Sequence, residues 1–203
     1  GLAAFCGVNS RARIYLPREA LGAYYAVLPG EEPRYLGLPD LDGLADRLSF
    51  TGELERLDGE LTLFSAVEDN PSLRAAAPKL QEKTGEGFRP DGFAHEQHLL
   101  VEENGKAALL AGCGHLGIVN ILRAAKRRLG RTPDVVFSGF HLFELDPEAP
   151  ESEALLAATA EELAEGDAIY YTGHCTGDRA YARLKEALGD RLRPMDCGAP
   201  AEL

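Results

Sequence analysis

Residues 107–117, AALLAGCGHLG, join an apolar run typical of a buried strand to a turn that holds three glycines and His115. In the segment that follows, Ile118–Leu129, apolar residues recur at helical spacing and basic residues occupy the last turn. This stretch predicts a strand, a tight turn and a helix. His115 should then stand just ahead of the helix N-terminus, near backbone N–H groups that favour anions.

The same pattern occurs twice more along the chain. An apolar run at 135–137 leads through Gly139 to His141, and another at 168–171 leads through Gly173 to His174. Ligands of layered α/β folds gather at the carboxyl ends of strands, where glycine lets the backbone pass close to them. Three of the five histidines are therefore placed where they could converge on one metal ion or substrate.

Each of these residues also has a plainer interpretation. The turns at His115 and His174 could be capped turns with incidental histidines, and His141, flanked by two apolar residues, could belong to the core. Cys113 could bind metal as a thiolate, although a buried free cysteine is more common. The cluster that begins at His95 is predicted to be the solvated start of a strand. Two histidines are too few for a catalytic metal, so the site is incomplete in this sequence.

Composition limits the class of protein. The chain has 203 residues, 45% of them hydrophobic, which suffices for one domain spanning residues 1–203. A net charge of −12 argues against nucleic acid or an anionic membrane surface as a partner. The four cysteines are widely spaced and form no CxxC pair, which favours reduced thiols and a cytoplasmic location.

Other patterns predict the remaining elements. Asn104-Gly105 between two apolar runs predicts a hairpin. Strand-like patterns occupy 49–67 and 191–194, helical patterns occupy 152–164 and 178–188, and residues 69–91 are expected to form a surface loop with a short helix near 73–80. A half built from hairpins, joined to strand–helix alternation, predicts packed sheets with helices outside them.

Taken in order, the motifs resemble those of metallo-β-lactamase-fold hydrolases, in particular the branch named for dihydropterin ribofuranosylaminobenzene phosphate synthase. The residues that carry the resemblance are Thr51-Gly52-Glu53-Leu54, His95-Glu96-Gln97, the run from Gly112 to Ile121, Gly139-Phe140-His141-Leu142 and the run from Tyr171 to Gly177. The resemblance implies an α/β fold, an αββα sandwich with a metal site at one edge between the sheets.

The resemblance also implies a site and an activity. His115 and His174 would bind one or two divalent metal ions, Zn or Mn, while Cys113, His95 and His141 would line the pocket or support the ligands. The expected activity is hydrolysis or group transfer on a small molecule by a metal-bound hydroxide, formed from water whose pKa falls to about 7. The resemblance assigns no residue as acid or base, and it leaves the oligomeric state open.

One departure from the family is large. Its defining ligand motif, His-x-His-x-Asp-His followed by Gly-Gly-Leu, is absent, and the opening Gly1-Leu2 looks like the remainder of that segment. We therefore expect this sequence to be part of a longer protein whose preceding residues complete the site. The alternative is a naturally truncated, metal-free and non-catalytic protein that binds a ligand or a partner.

Overall fold

The computed structural model describes residues 1–196 and residue 198, and describes His174 through its backbone alone. Within this range the α-helices are α1 Leu2–Val8, α2 Ile118–Leu129, α3 Pro150–Ala164 and α4 Asp178–Leu188. The strands are β1 Ile14–Pro17, β2 Tyr24–Ala26, β3 Arg34–Tyr35, β4 Leu48–Thr51, β5 Leu54–Arg56, β6 Leu61–Phe64, β7 Leu80–Thr84, β8 Gly87–Pro90, β9 His98–Glu103, β10 Lys106–Leu110, β11 Val135–Phe137, β12 Ile169–Thr172 and β13 Leu192–Pro194.

The chain divides into two compact parts. The smaller part comprises Gly1–Glu53 and Ala77–His95, and the larger part comprises Leu54–Ala76 and Glu96–Leu203. Each part has its own β-structure. The organisation of residues 1–203 as a single domain stays a prediction.

The larger part is built on a seven-stranded mixed sheet. Its strand order is β13-β12-β11-β10-β9-β6-β5, with β10 to β13 parallel and β9, β6 and β5 joined to them by antiparallel pairing. Helices α2, α3 and α4 connect successive parallel strands, as such crossovers require. Leu109 and Val136 on the strands, and Ile121, Leu163 and Leu184 on the helices, are fully buried in its core.

Glycines mark both ends of α2. Gly117 precedes the helix with φ +86°, and Gly130 ends it in the left-handed conformation, where its N–H bonds the Lys126 carbonyl. Three basic residues lie in the last turn, where the helix dipole favours positive charge. The sequence prediction of a helix after the first histidine turn is therefore confirmed.

The hairpin predicted at Asn104-Gly105 is also present. Both residues have positive φ, 51° and 78°, as a two-residue type I′ turn requires. The turn fixes the register in which Glu103 faces Lys106 and Leu99 faces Leu110. This register makes β9 the antiparallel neighbour of β10.

The smaller part contains a four-stranded antiparallel sheet of order β3-β2-β7-β8, and a parallel pair formed by β1 and β4.

The sequence interpretation of 69–91 as a surface loop with a short helix near 73–80 was wrong. That stretch holds a 3-10 turn at Pro71–Leu73 and then the β7–β8 hairpin. Its residues are polar and partly exposed, so strand pairing rather than apolar alternation defines it.

Among the described residues, no helix has both the length and the apolar character needed to cross a membrane.

Candidate functional site

Three turns lie together at one edge of the large sheet. Strands β10, β11 and β12 are parallel and adjacent, so the segments 111–117, 138–143 and 173–177 leave the sheet on the same side. We call these three segments the carboxyl edge. Strand β11, which leads to His141, lies between the strands that lead to His115 and His174.

Backbone hydrogen bonds tie the middle turn to both of its neighbours. The Gly139 N–H donates to the Gly112 carbonyl at 2.8 Å. On the other side, the N–H groups of Leu142 and Phe143 donate to the Cys175 carbonyl at 3.0 and 3.1 Å. The carboxyl edge is thus a connected layer of backbone rather than three independent loops.

Side-chain packing brings the same turns closer still. A Cβ atom on Gly139 would lie 2.5 Å from Cys175 Sγ, and one on Gly114 would lie 2.6 Å from the Gly139 carbonyl oxygen. The Phe140 N–H donates to Thr176 Oγ1 at 3.0 Å, and that hydroxyl also bonds Thr172 Oγ1 at 2.6 Å. Glycine is therefore required here because the neighbouring turn fills the space that a side chain would need.

His115 is held by a buried carboxylate. Glu96 Oε1 lies 2.7 Å from both the His115 N–H and its Nδ1, and Glu96 Oε2 accepts the Leu116 N–H at 3.1 Å. Burial alone would raise the pKa of Glu96, but the hydrogen bond and charge of His115, with further contributions, lower it. An ionised Glu96 can only accept, so Nδ1 of His115 carries a proton and, in the neutral ring, Nε2 carries the lone pair.

His141 sits between the two flanking turns in an unusual conformation. Its φ of +47° is uncommon for a residue with a side chain, and it is only 8% exposed. Its ring lies 4.4 Å from the His115 ring at 64°, and 5.5 Å from the Phe143 ring. Neither of its ring nitrogens has a hydrogen-bond partner among the described residues. Burial, with the nearby His115, lowers the pKa of His141 to about 4, which favours the neutral ring.

Two cysteine thiols also meet at the carboxyl edge. Cys175 is buried, Cys113 is partly exposed, and Cys175 Sγ donates to the Cys113 carbonyl at 3.4 Å. The hydrogen bond with the Cys113 side chain, together with burial, raises the pKa of the Cys175 thiol far above its ordinary value. Cys113 was identified from the sequence as a pocket residue, whereas Cys175 was not.

The backbone of His174 forms a 3-10 turn with Cys175 and Thr176 directly after β12. Its side chain lies outside the described part of the structure. The prediction that the His115 and His174 rings share one metal ion therefore stays a prediction. The structure places their backbones on turns that are both bonded to the 139–143 segment.

His95 belongs to the smaller part of the molecule. Its Nε2 lies 2.9 Å from Asp91 Oδ2, and its ring packs 4.1 Å from the ring of Tyr24. This polar contact and ring contact describe a structural role within that part, and the proposed pocket role of His95 stays a prediction.

The interpretation of residues 95–98 as a solvated strand start was wrong. His98 is 1% exposed, and the Glu96 side chain is 9% exposed. Strand β9 begins only at His98, so strand alternation does not govern the residues before it. The one signal that could have identified Glu96 is an acidic residue beside two histidines, and sequence alone does not show which backbone N–H groups it meets.

The donors at the carboxyl edge suit a metal ion in their chemistry. A histidine whose Nδ1–H is held by a carboxylate presents Nε2 in the orientation common at metal sites, and the buried His141 has ring nitrogens without partners in the described chain. The described residues, which exclude the His174 side chain, contain no group of three or more His, Cys, Asp or Glu that could hold a metal ion. The site thus fits a metal in part, and needs further donors.

Comparisons with known proteins agree with the fold. No protein-family model matches the sequence, and no curated protein matches it. Among solved structures, the chain is similar to Tm1679, described as a metal-dependent hydrolase of the beta-lactamase superfamily. The identity is 24%, the match covers 91% of this chain and 68% of that chain, and the TM-score is 0.71. The predicted α/β fold of the metallo-β-lactamase type is thereby confirmed.

Two further structures are more distant. An isothiocyanate hydrolase from Delia radicum gut bacteria is 14% identical over 74% of this chain and 57% of that chain, with a TM-score of 0.40. An NDM_FIM-1-like metallo-β-lactamase from Erythrobacter litoralis, in a mono-zinc form, is 12% identical over 60% and 45%, with a TM-score of 0.25. These TM-scores are too low for either likeness to bear on the fold.

Proposed function

We propose that this protein is a metal-dependent hydrolase, or a group-transfer enzyme of the same chemistry, that acts on a small molecule. One observation carries the proposal. Three adjacent parallel strands end in turns that are joined by backbone hydrogen bonds and bear His115, His141 and His174, and the buried Glu96 carboxylate orients His115. A fold shared with a metal-dependent hydrolase supports it.

In this proposal His115 and His174 bind the metal, while Cys113 and His141 line the pocket. A divalent ion such as Zn²⁺ or Mn²⁺ supplies Lewis acidity, lowering the pKa of water to about 7 and polarising the bond to be cleaved. Glu96 positions His115, because its carboxylate accepts both the Nδ1–H and the backbone N–H of that residue. Supporting carboxylates of this kind typically raise metal affinity about 10- to 100-fold.

The resemblance to the dihydropterin ribofuranosylaminobenzene phosphate synthase branch supports two finer proposals. The first is that a His-x-His-x-Asp-His segment outside residues 1–203 supplies the remaining ligands. The second is a substrate that contains phosphate or a pterin-like ring. Fold does not fix substrate, so the second rests on the resemblance alone.

Metal analysis of the protein at its natural length is the first test. We expect stoichiometric Zn or Mn after purification, and hydrolysis of at least one member of a phosphodiester and lactone panel. The His115→Ala, His174→Ala double variant should lose most of its metal and activity, whereas a His98→Asn control, changed at a buried histidine on β9, should keep both. Full metal occupancy in the double variant would refute the ligand assignment.

A different outcome would favour a different class of protein. If the protein at its natural length binds no metal and hydrolyses none of the panel, the enzyme proposal is wrong. A non-catalytic protein that binds a ligand or partner on this fold would then be the better interpretation.

A further inference from the structure

His141 is an unusual buried group for a folded protein. With 8% exposure and no described partner for either ring nitrogen, it leaves both polar atoms of the imidazole unsatisfied. Each buried polar group left without a partner costs about 1–3 kcal/mol. Such groups are rare in native structures, and an ion or water in contact with them is a common reason.

The backbone at His141 is strained as well as buried. A side chain at φ +47° costs about 1–3 kcal/mol, and strain of this kind collects at functional sites. The surrounding bonds hold it there: Gly139 is bonded to the first turn, and Leu142 and Phe143 are bonded to the carbonyl of Cys175. The fold therefore fixes a costly conformation between the turns that carry His115 and His174.

The position of the ring relative to His115 is compatible with a shared metal ion. Two imidazoles that each bind one ion through a nitrogen about 2.0–2.1 Å away have ring centres roughly 4.5–5.5 Å apart. The observed separation is 4.4 Å with the planes at 64°.

We propose that His141 binds the metal ion directly, as a third histidine of the carboxyl edge, instead of only lining the pocket. This inference rests on the proposed metal site and adds a ligand to it. His115, His141 and His174 would then come from the ends of three consecutive parallel strands, which gives the three protein donors usual for a catalytic metal.

His98 shows why burial alone does not carry the inference. It is 1% exposed, and its ring nitrogens also lack partners among the described residues. Its ring, however, packs against the ring of Phe64, with 5.1 Å between the ring centres, and the backbone at His98 does not have a positive φ. His98 is therefore a control for burial: a buried histidine at the start of β9 in the same large sheet.

Cobalt substitution separates a direct ligand from a supporting residue. The protein at its natural length is stripped of metal and titrated with Co²⁺, and its affinity is followed by visible absorption. Proton NMR of the Co²⁺ form then counts the strongly shifted imidazole N–H signals, each of which belongs to a bound histidine. The variants are His141→Asn, His115→Asn and the control His98→Asn, and asparagine is chosen because it tolerates positive φ.

We expect His141→Asn to weaken Co²⁺ binding by more than about 100-fold, beyond the range typical of supporting residues, and to remove one shifted signal. His98→Asn should change neither. If His141→Asn keeps every shifted signal, whatever its affinity, His141 is not a ligand and the inference is overturned. Should that variant fail to fold, by circular dichroism and thermal melting, His141→Gln is judged by the same signals.

A different set of results would refute the proposed metal site itself. If the unmodified protein binds no Co²⁺, or if His115→Asn binds it as tightly as the unmodified protein, then the proposed function is wrong and the role of His141 falls with it. Loss of binding in His115→Asn together with unchanged signals in His141→Asn would leave the function standing and refute only the third ligand.

Discussion

At the scale of single residues, the large sheet buries ionisable side chains that most proteins keep in water. Glu96 is compensated: it accepts three hydrogen bonds, two from backbone N–H groups and one from an imidazole. His98 and His141 have no such compensation among the described residues. The hydrogen bonds stabilise the charged form of Glu96, whereas burial favours the neutral forms of His98 and His141.

The buried state of His98 predicts an acid-sensitive stability. Burial lowers its pKa from 6.5 to about 4, with Glu96 acting to raise the pKa and Arg128 to lower it further. Because the unfolded chain takes up the proton first, the contribution of His98 is complete above about pH 6.5 and is lost as the pH falls toward 4. The expected slope is roughly 1 kcal/mol per pH unit in this window.

Urea unfolding at several pH values between 7 and 4 measures this slope. The His98→Asn variant cannot titrate at this position, so its free energy of unfolding should depend less steeply on pH, even if its stability at pH 7 is lower. His141 contributes with the same sign, and its share should persist in that variant. Equal slopes for the two proteins would show that His98 is protonated as readily in the folded state as in the unfolded state.

Sequence reasoning at this scale found the histidines but not what holds them. Glycine turns after apolar runs placed His115, His141 and His174 at strand ends, because backbone direction follows from local pattern. The contact between Glu96 and His115 joins residues 19 apart in sequence, and the thiol of Cys175 reaches the carbonyl of Cys113 across 62 residues. Such contacts depend on sheet order, which one sequence does not determine.

At the scale of elements, two glycines at the ends of α2 perform different tasks. Gly117 and Gly130 both have positive φ, 86° and 71°. A Cβ on Gly117 would run into the carbonyl oxygen of Leu73, whereas one on Gly130 would meet no atom within 4 Å. Gly130 supplies only a backbone conformation, while Gly117 also permits close packing.

Alanine substitutions should separate these two effects. Gly130→Ala should cost about 1–2 kcal/mol of stability, the strain of a left-handed residue. Gly117→Ala should cost distinctly more stability, because the 71–73 turn must also move away. The same substitution should reduce metal binding, because it displaces His115, which lies two residues before Gly117. Chemical denaturation of both variants gives the comparison, and equal losses would mean that the Leu73 carbonyl yields without cost.

Elements with a strong period were predictable, and those without one were not. Helices α2 and α4 have continuous apolar faces, and the β9–β10 hairpin has an Asn-Gly turn, so each was located correctly. The strands of the smaller sheet were missed. β8, for example, reads Gly-Phe-Arg-Pro and is exposed along its length, so its hydrogen bonds to β7 are its defining feature.

At the scale of the whole molecule, the two compact parts differ in how much they bury. The core positions of β10, β11 and β12 are nearly inaccessible, whereas β3 and β8 are exposed throughout. Local opening is easier where fewer apolar groups are buried and more backbone bonds face solvent. The smaller part should therefore open more often than the large sheet.

Hydrogen exchange followed by mass spectrometry tests this difference. Peptides that cover β10 to β12 should exchange slowest, at rates close to those set by global unfolding. Peptides that cover β2, β3, β7 and β8 should exchange at least about 10-fold faster. Uniform protection across both parts would indicate instead that the chain unfolds as one cooperative unit.

The parallel order of β10, β11 and β12 also has a consequence for when the carboxyl edge can form. Each of these strands pairs with the next only after an intervening helix has crossed over. The entropic cost of closing these long loops must therefore be met before strand pairing contributes any stability. The groups that meet here come from residues 96, 115, 141 and 175, which are far apart along the chain. A ribosome-bound chain that stops before residue 172 would have helices α2 and α3 but would lack α4 and the third turn of the carboxyl edge. Completion of the carboxyl edge therefore waits until β12 and the turn that follows it have been made.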